Sequence, residues 1–132
     1  MKSIIKTKFE KMLLTVNISE DKNAKLRDIM KVHGGDIKPV GADCGGQQLG
    51  YLLGFSGFAH SDSKQGVTQE CIIFSGVDGK ELNAILKQMR EKDAAVELKA
   101  VCTAYNQRWT LAQLADELEK EHKAMTGGGK VE

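Results

Sequence analysis

The chain has no long apolar run, and its 132 residues include one proline, one tryptophan and three cysteines. The first absence excludes a membrane-spanning helix, which needs about 20 consecutive apolar residues. Cys44, Cys71 and Cys102 are an odd number, widely spaced and without a Cys-x-x-Cys pair. That excludes a disulfide framework and points to a reducing cytoplasm, with each thiol read as a small apolar group. Charge of one sign is lacking too: 19 basic and 18 acidic side chains nearly cancel. No field is left to recruit nucleic acid or an anionic membrane surface. The N-terminal lysines accompany only Ile4, Ile5 and Phe9, too little for the core of a secretion signal. Catalytic templates are missing as well. There is no Gly-x-Ser-x-Gly elbow, no His-Glu-x-x-His, and no ligand spacing among cysteines and histidines, so neither metal nor cofactor is expected.

What is present fits one domain over residues 11–125, between a flexible N-terminal segment, residues 1–10, and a disordered glycine-rich tail, residues 126–132. Met12 to Ile18 reads as a strand, and Ser19 caps a helix whose first turn carries Glu20 and Asp21. Leu26, Ile29, Met30 and His33 share one face of it, and Gly34-Gly35 end it. The strand from Ile37 to Ala42 contains Pro39, which demotes it to a sheet edge. The pattern then recurs. Cys71 to Phe74 is a buried-type strand, Asp78-Gly-Lys-Glu81 a capping box, and Leu82, Ile85, Leu86 and Met89 an apolar helix face. Val96 to Thr103 alternates as a fourth strand.

Two βαβ units predict an α+β, ferredoxin-like sandwich with an inserted Gly-rich connection and an extra C-terminal helix. Strands two and four then lie outside. The alternative is an α/β open parallel four-stranded sheet, in which Gln47 to Phe55 forms a third crossover helix.

Two stretches stand out. In the connection, Gly45-Gly46 precede Gln47, an arrangement whose amides could hold an anion, although the Lys-Ser/Thr of a nucleotide loop is missing. Near the C-terminus, Thr110 and Gln113 form a capping box, with Trp109 and Leu114 at the positions of a hydrophobic staple. Asn106 either satisfies the turn's backbone or adopts a left-handed conformation. Further on, His122 falls on the apolar stripe with Leu111, Ala115 and Leu118, while Glu117 and Glu121 stand one turn apart and call for a basic partner.

The run Asn106-x-x-Trp109, a helix start and Glu117-x-x-x-Glu121-His122 resembles the bacterial family of domain of unknown function 3783. Gly46-Gln47-x-x-Gly50-Tyr51 is similar to a segment found upstream in such proteins. The resemblance lends no activity. We therefore expect a non-catalytic cytoplasmic module that binds a protein partner or a small polar ligand through Gly46, Gln47, Gly50, Tyr51, Asn106 and Trp109. The two segments should then meet at one rim of the sheet. The rivals are an enzyme using Cys44 or the Glu121/His122 pair on a small polar substrate, and a structural homodimer joined at the Pro39 edge.

Overall fold

The computed structural model describes residues 11–125, so the segments 1–10 and 126–132 lie outside the described residues. In chain order the elements are β1 (Met12–Val16), α1 (Glu20–Val32), β2 (Asp36–Val40), α2 (Leu49–Leu52), β3 (Cys71–Ser75), α3 (Gly79–Glu91), β4 (Leu98–Val101) and α4 (Leu111–Lys123). Local chemistry sets several of these boundaries. The Ser19 hydroxyl accepts from the Lys22 amide at 3.2 Å, satisfying an end group that helix α1 cannot satisfy itself. Gly34, at φ +84°, takes the left-handed turn after that helix, and Gly35 N–H returns to Met30 O at 2.8 Å. Asp78 caps α3 by accepting from Glu81 N at 2.8 Å. The expected reciprocal half of that box is missing because the Glu81 carboxylate is drawn away to Lys11 Nζ, 2.9 Å distant, and to His33 Nδ1 at 3.3 Å.

The four strands form one mixed sheet in the order β2-β1-β3-β4. Strands β1 and β2 are parallel, β3 and β4 are parallel, and the central pair β1–β3 is antiparallel, with Leu14 opposite Ile73. The protein is α+β with helices on both faces of the sheet. Strands two and four occupy the edges, but the ferredoxin-like arrangement is corrected. In a split βαβ another strand separates the two strands of each unit, whereas here each unit's strands are direct neighbours. The open parallel alternative is corrected by the antiparallel centre. Only one helical turn, α2, forms in the long connection; no third crossover helix makes β2 and β3 parallel.

Both faces of the sheet are covered, so the central strands are apolar without alternation. Leu13, Ile72 and Phe74 pack under α1 and α3 with Leu26, Ile29, Ile85 and Met89. Leu14, Val16, Cys71 and Ile73 face the opposite way, onto Leu49, Leu111, Leu114 and Ala115 of α2 and α4. His33 is drawn off the expected apolar face into polar contacts between helices, its Nε2 lying 3.2 Å from Gln88 Oε1. His122 is half-exposed, with Nε2 3.4 Å from Glu97 Oε1.

A threonine in β1 breaks the apolar pattern of the core. Thr15 is 1% exposed, and its hydroxyl has no hydrogen-bond partner among the described residues. A buried hydroxyl without a partner costs about 1–3 kcal/mol. Thr15→Val keeps the side-chain shape, so denaturant unfolding is expected to show a gain of about 1 kcal/mol; a loss of that size would mean the hydroxyl is satisfied.

Candidate functional site

The Gly-rich connection and the turn before α4 are spliced together through their backbones. Gln48 and Thr110 form an antiparallel bridge. Around it, Leu49 N–H donates to Trp109 O at 3.0 Å, Gly50 N–H to Gln107 O at 2.9 Å, Leu111 N–H to Gln47 O at 2.9 Å, and Ala112 N–H to Gly45 O at 2.9 Å. The two segments identified in the sequence therefore do meet. They meet over the α2/α4 face of the sheet, beside the cluster containing Leu49 and Leu111, rather than at a rim. Strands β2 and β4 run in opposite directions, so their ends lie at opposite ends of the sheet.

This splice accounts for the residue types. A methyl group on Gly46 would collide with the Ser63 side chain, one on Gly45 would stand 2.7 Å from Gln65 O, and one on Gly50 2.5 Å from the Phe58 ring. At Gly45 the close atom is backbone and glycine is required, whereas at Gly46 and Gly50 the facing side chain would have to shift. Gln47 is 4% exposed; its amide donates to Ser61 O at 2.7 Å and accepts from Ser61 N at 2.9 Å, fastening residues 53–66 to the core. The anion-binding reading of Gly45-Gly46 loses two of its donors, because Gly45 N–H is bonded to Gln65 O and Gln47 N–H to Cys44 O.

The turn is built just as tightly. Asn106 accepts from Thr103 N at 2.8 Å and donates to Val101 O at 3.1 Å, so it satisfies backbone groups and takes no left-handed conformation. Thr110 and Gln113 complete the capping box in both directions. Trp109 is half-buried against the cluster that contains Leu114, in keeping with a staple. Its outer side meets Tyr105, ring centroids 6.3 Å apart.

Around the splice an amphipathic surface remains open. Gly54, Phe55, Ser56, Gly57, Phe58, Gln107 and Arg108 line a groove of about 490 Å³. The Arg108 guanidinium lies 5.3 Å from the Phe58 ring centroid, within cation–π range. On the far side of Arg108 and Trp109 a second groove of about 400 Å³ runs along Gln113, Asp116, Glu117 and Lys120 of α4. Tyr51, edge-on to His60 with ring centroids 5.5 Å apart, is partly buried against the cluster under α2 and α4. Of the six expected site residues, Gly46, Gln47, Gly50 and Asn106 build the scaffold, Trp109 lines the second groove, and Tyr51 packs against the cluster and lines neither groove. Phe55, Phe58 and Gln107 join the lining of the first groove without a motif that marks them. Spacing alone carried no signal for them, because their grouping depends on how Gly54 and Gly57, at φ +82° and +90°, turn the loop.

Among the described residues no group of three or more His, Cys, Asp or Glu side chains is placed to hold a metal ion. Residues 70–125 match the model of the family described as Domain of unknown function (DUF3783). The match takes in Asn106 to Trp109 and stops short of Gly46 to Tyr51. Comparison with curated proteins and with solved structures found no match.

The contact between Gly50 and Phe58 gives a direct test. Gly50→Ala forces the ring or the splice to move and is expected to cost about 1–3 kcal/mol in denaturant unfolding. Gly66→Ala serves as the control, since its added methyl meets nothing closer than Ala42 O at 3.9 Å; its midpoint should stay near the parent's.

Proposed function

We propose that this chain, whose residues 70–125 match the DUF3783 family model, is a non-catalytic binding module whose ligand sits in the groove lined by Phe55, Phe58, Gln107 and Arg108. The supporting observation is the rigid backbone splice. It presents a guanidinium, a side-chain amide and two phenyl rings around a volume of about 490 Å³, within the size range of small-molecule sites. A cationic fork beside aromatic faces suits a small polar ligand that carries a carboxylate or phosphate next to a planar or apolar part. A charged polymer is a poorer match, because Asp116 and Glu117 flank the adjoining groove.

The enzyme reading draws less support. Cys44 is half-exposed, its Sγ 4.0 Å from Asp43 Oδ1. Burial pushes the thiols of Cys71 and Cys102 up to about 12 and about 11 respectively. Both therefore stay neutral well above physiological pH, and a neutral thiol is a poor nucleophile. His122 is held on the far end of α4, toward Glu97, about 18 Å of helix from Thr110.

Two measurements test this reading. In amide-resolved NMR titrations with a panel of carboxylate- and phosphate-bearing metabolites, shifts should concentrate in residues 54–58 and 105–109. Arg108→Ala should weaken the responding ligand about tenfold or more, the cost of losing a charge-assisted pair. Shifts centred elsewhere would refute the site.

Thiol labelling should show Cys71 and Cys102 reacting far more slowly than Cys44, with Cys44 no faster than an unfolded peptide thiol; a faster Cys44 would revive the enzyme. Because the folded thiols hold protons that the unfolded chain releases near 9.0, stability should fall as pH rises from about 9 toward 11.

A further inference from the structure

Arg108 lines both grooves, so the two adjoin at its side chain. They differ in charge. Among the described residues bordering the first groove Arg108 alone is charged, whereas the second adds Asp116, Glu117 and Lys120 from α4, with Trp109 beside Arg108 where the two grooves adjoin.

The fold leaves these charges without partners. Among the described residues the Arg108 guanidinium meets the Phe58 ring and no carboxylate. The basic partner that Glu117 and Glu121 call for is not supplied among the described residues either: Lys123 goes to Glu119 at 3.5 Å and His122 to Glu97. Lys120, three residues from Glu117, pairs with neither Glu117 nor Asp116, whose carboxylate accepts from the Gln69 amide at 3.0 Å. A single unpaired charge is ordinary on a surface. Here charges of opposite sign lie in adjoining grooves on the two sides of one tryptophan.

We propose, resting on the first-groove reading above, that the ligand is a short extended peptide whose C-terminal carboxylate pairs with Arg108 and whose basic side chain, three residues earlier, crosses Trp109 to Glu117. The Arg108 guanidinium and the Phe58 ring centroid are 5.3 Å apart, so the group they recognise carries a carboxylate and an apolar side chain close together. A C-terminal residue has both on one Cα. Its carboxylate matches the planar fork of the guanidinium, and its side chain lies against Phe55 and Phe58. About 10 Å of helix separates Thr110 from Glu117, a distance that three extended residues span at about 3.3–3.6 Å each. A lysine at that spacing lays its apolar stem along Trp109 and brings its charge to Glu117 and Asp116.

The probe is acetyl-Lys-Gly-Gly-Phe with a free carboxylate, titrated into the full chain beside its C-terminal amide and an analogue with norleucine in place of lysine. Trp109 is the chain's one tryptophan and lines the second groove, so its fluorescence reports there, while amide shifts at residues 54–58 report the first. The free-carboxylate peptide should move both signals. Its amide should bind about tenfold more weakly and the norleucine analogue about fivefold more weakly, as expected for a bidentate and a half-exposed ion pair. Glu117→Gln should remove the preference for lysine over norleucine, and Arg108→Ala the preference for carboxylate over amide, with unfolding midpoints confirming that both variants fold. Equal binding of lysine and norleucine peptides, or shifts at 54–58 with Trp109 unchanged, overturns the peptide and leaves the first-groove site standing. So does a metabolite that binds at Arg108 when none of the three peptides does. No shift at 54–58 with any peptide or metabolite overturns both.

Discussion

The antiparallel pairing of β1 with β3 is the constraint on which the remainder depends. Each βαβ unit alone would leave one side of its first strand unpaired and one face of its sheet bare. Joining the units back to back places Leu13, Leu14, Ile72, Ile73 and Phe74 at the centre, buried on both faces. One face is closed by the units' own helices, α1 and α3. The other must be closed by segments outside the repeat, which is why the long connection and α4 are parts of the core rather than additions to it.

That second face explains the concentration of special residues in the connection and the turn. Closing it requires irregular backbone to lie against the sheet, where every amide and carbonyl needs a partner. The hydrogen bonds from Leu49, Gly50, Leu111 and Ala112 across to the facing segment meet this need. They also satisfy the first amides of α4, which a helix cannot satisfy itself. Glycine at 45, 46 and 50 permits the approach, and Gln47 and Asn106 hold the loops on either side. A rigid scaffold carrying an open loop is the usual setting for recognition, and the surface around Arg108 has that form.

Where an element's reason was local, the sequence revealed it. Ser19, Asp78 and the Thr110–Gln113 box mark helix starts by a side chain's reach of two or three residues, and Gly34 marks a helix end by its permitted φ. Pro39 indicated an edge strand because its ring removes a ladder donor. The local pattern misled where a distant partner competed. Glu81 abandons its capping role for Lys11 and His33, and His122 turns from the apolar stripe toward Glu97. None of these partners lies within the same helix.

The sequence by itself thus determined two βαβ units, their strands and main helices, and the two segments that meet over the second face, because periodicity, capping and backbone permission act within a few residues. Only the tertiary structure decided strand direction and neighbours, since an apolar strand buried on both faces reads the same whether its partner runs parallel or antiparallel. It alone assigned the roles within the candidate site. Whether Gln47 meets a ligand or Ser61, and whether Phe58 packs inside or faces Arg108, depends on contacts between loops that are remote in sequence and brought together by burial of the second face.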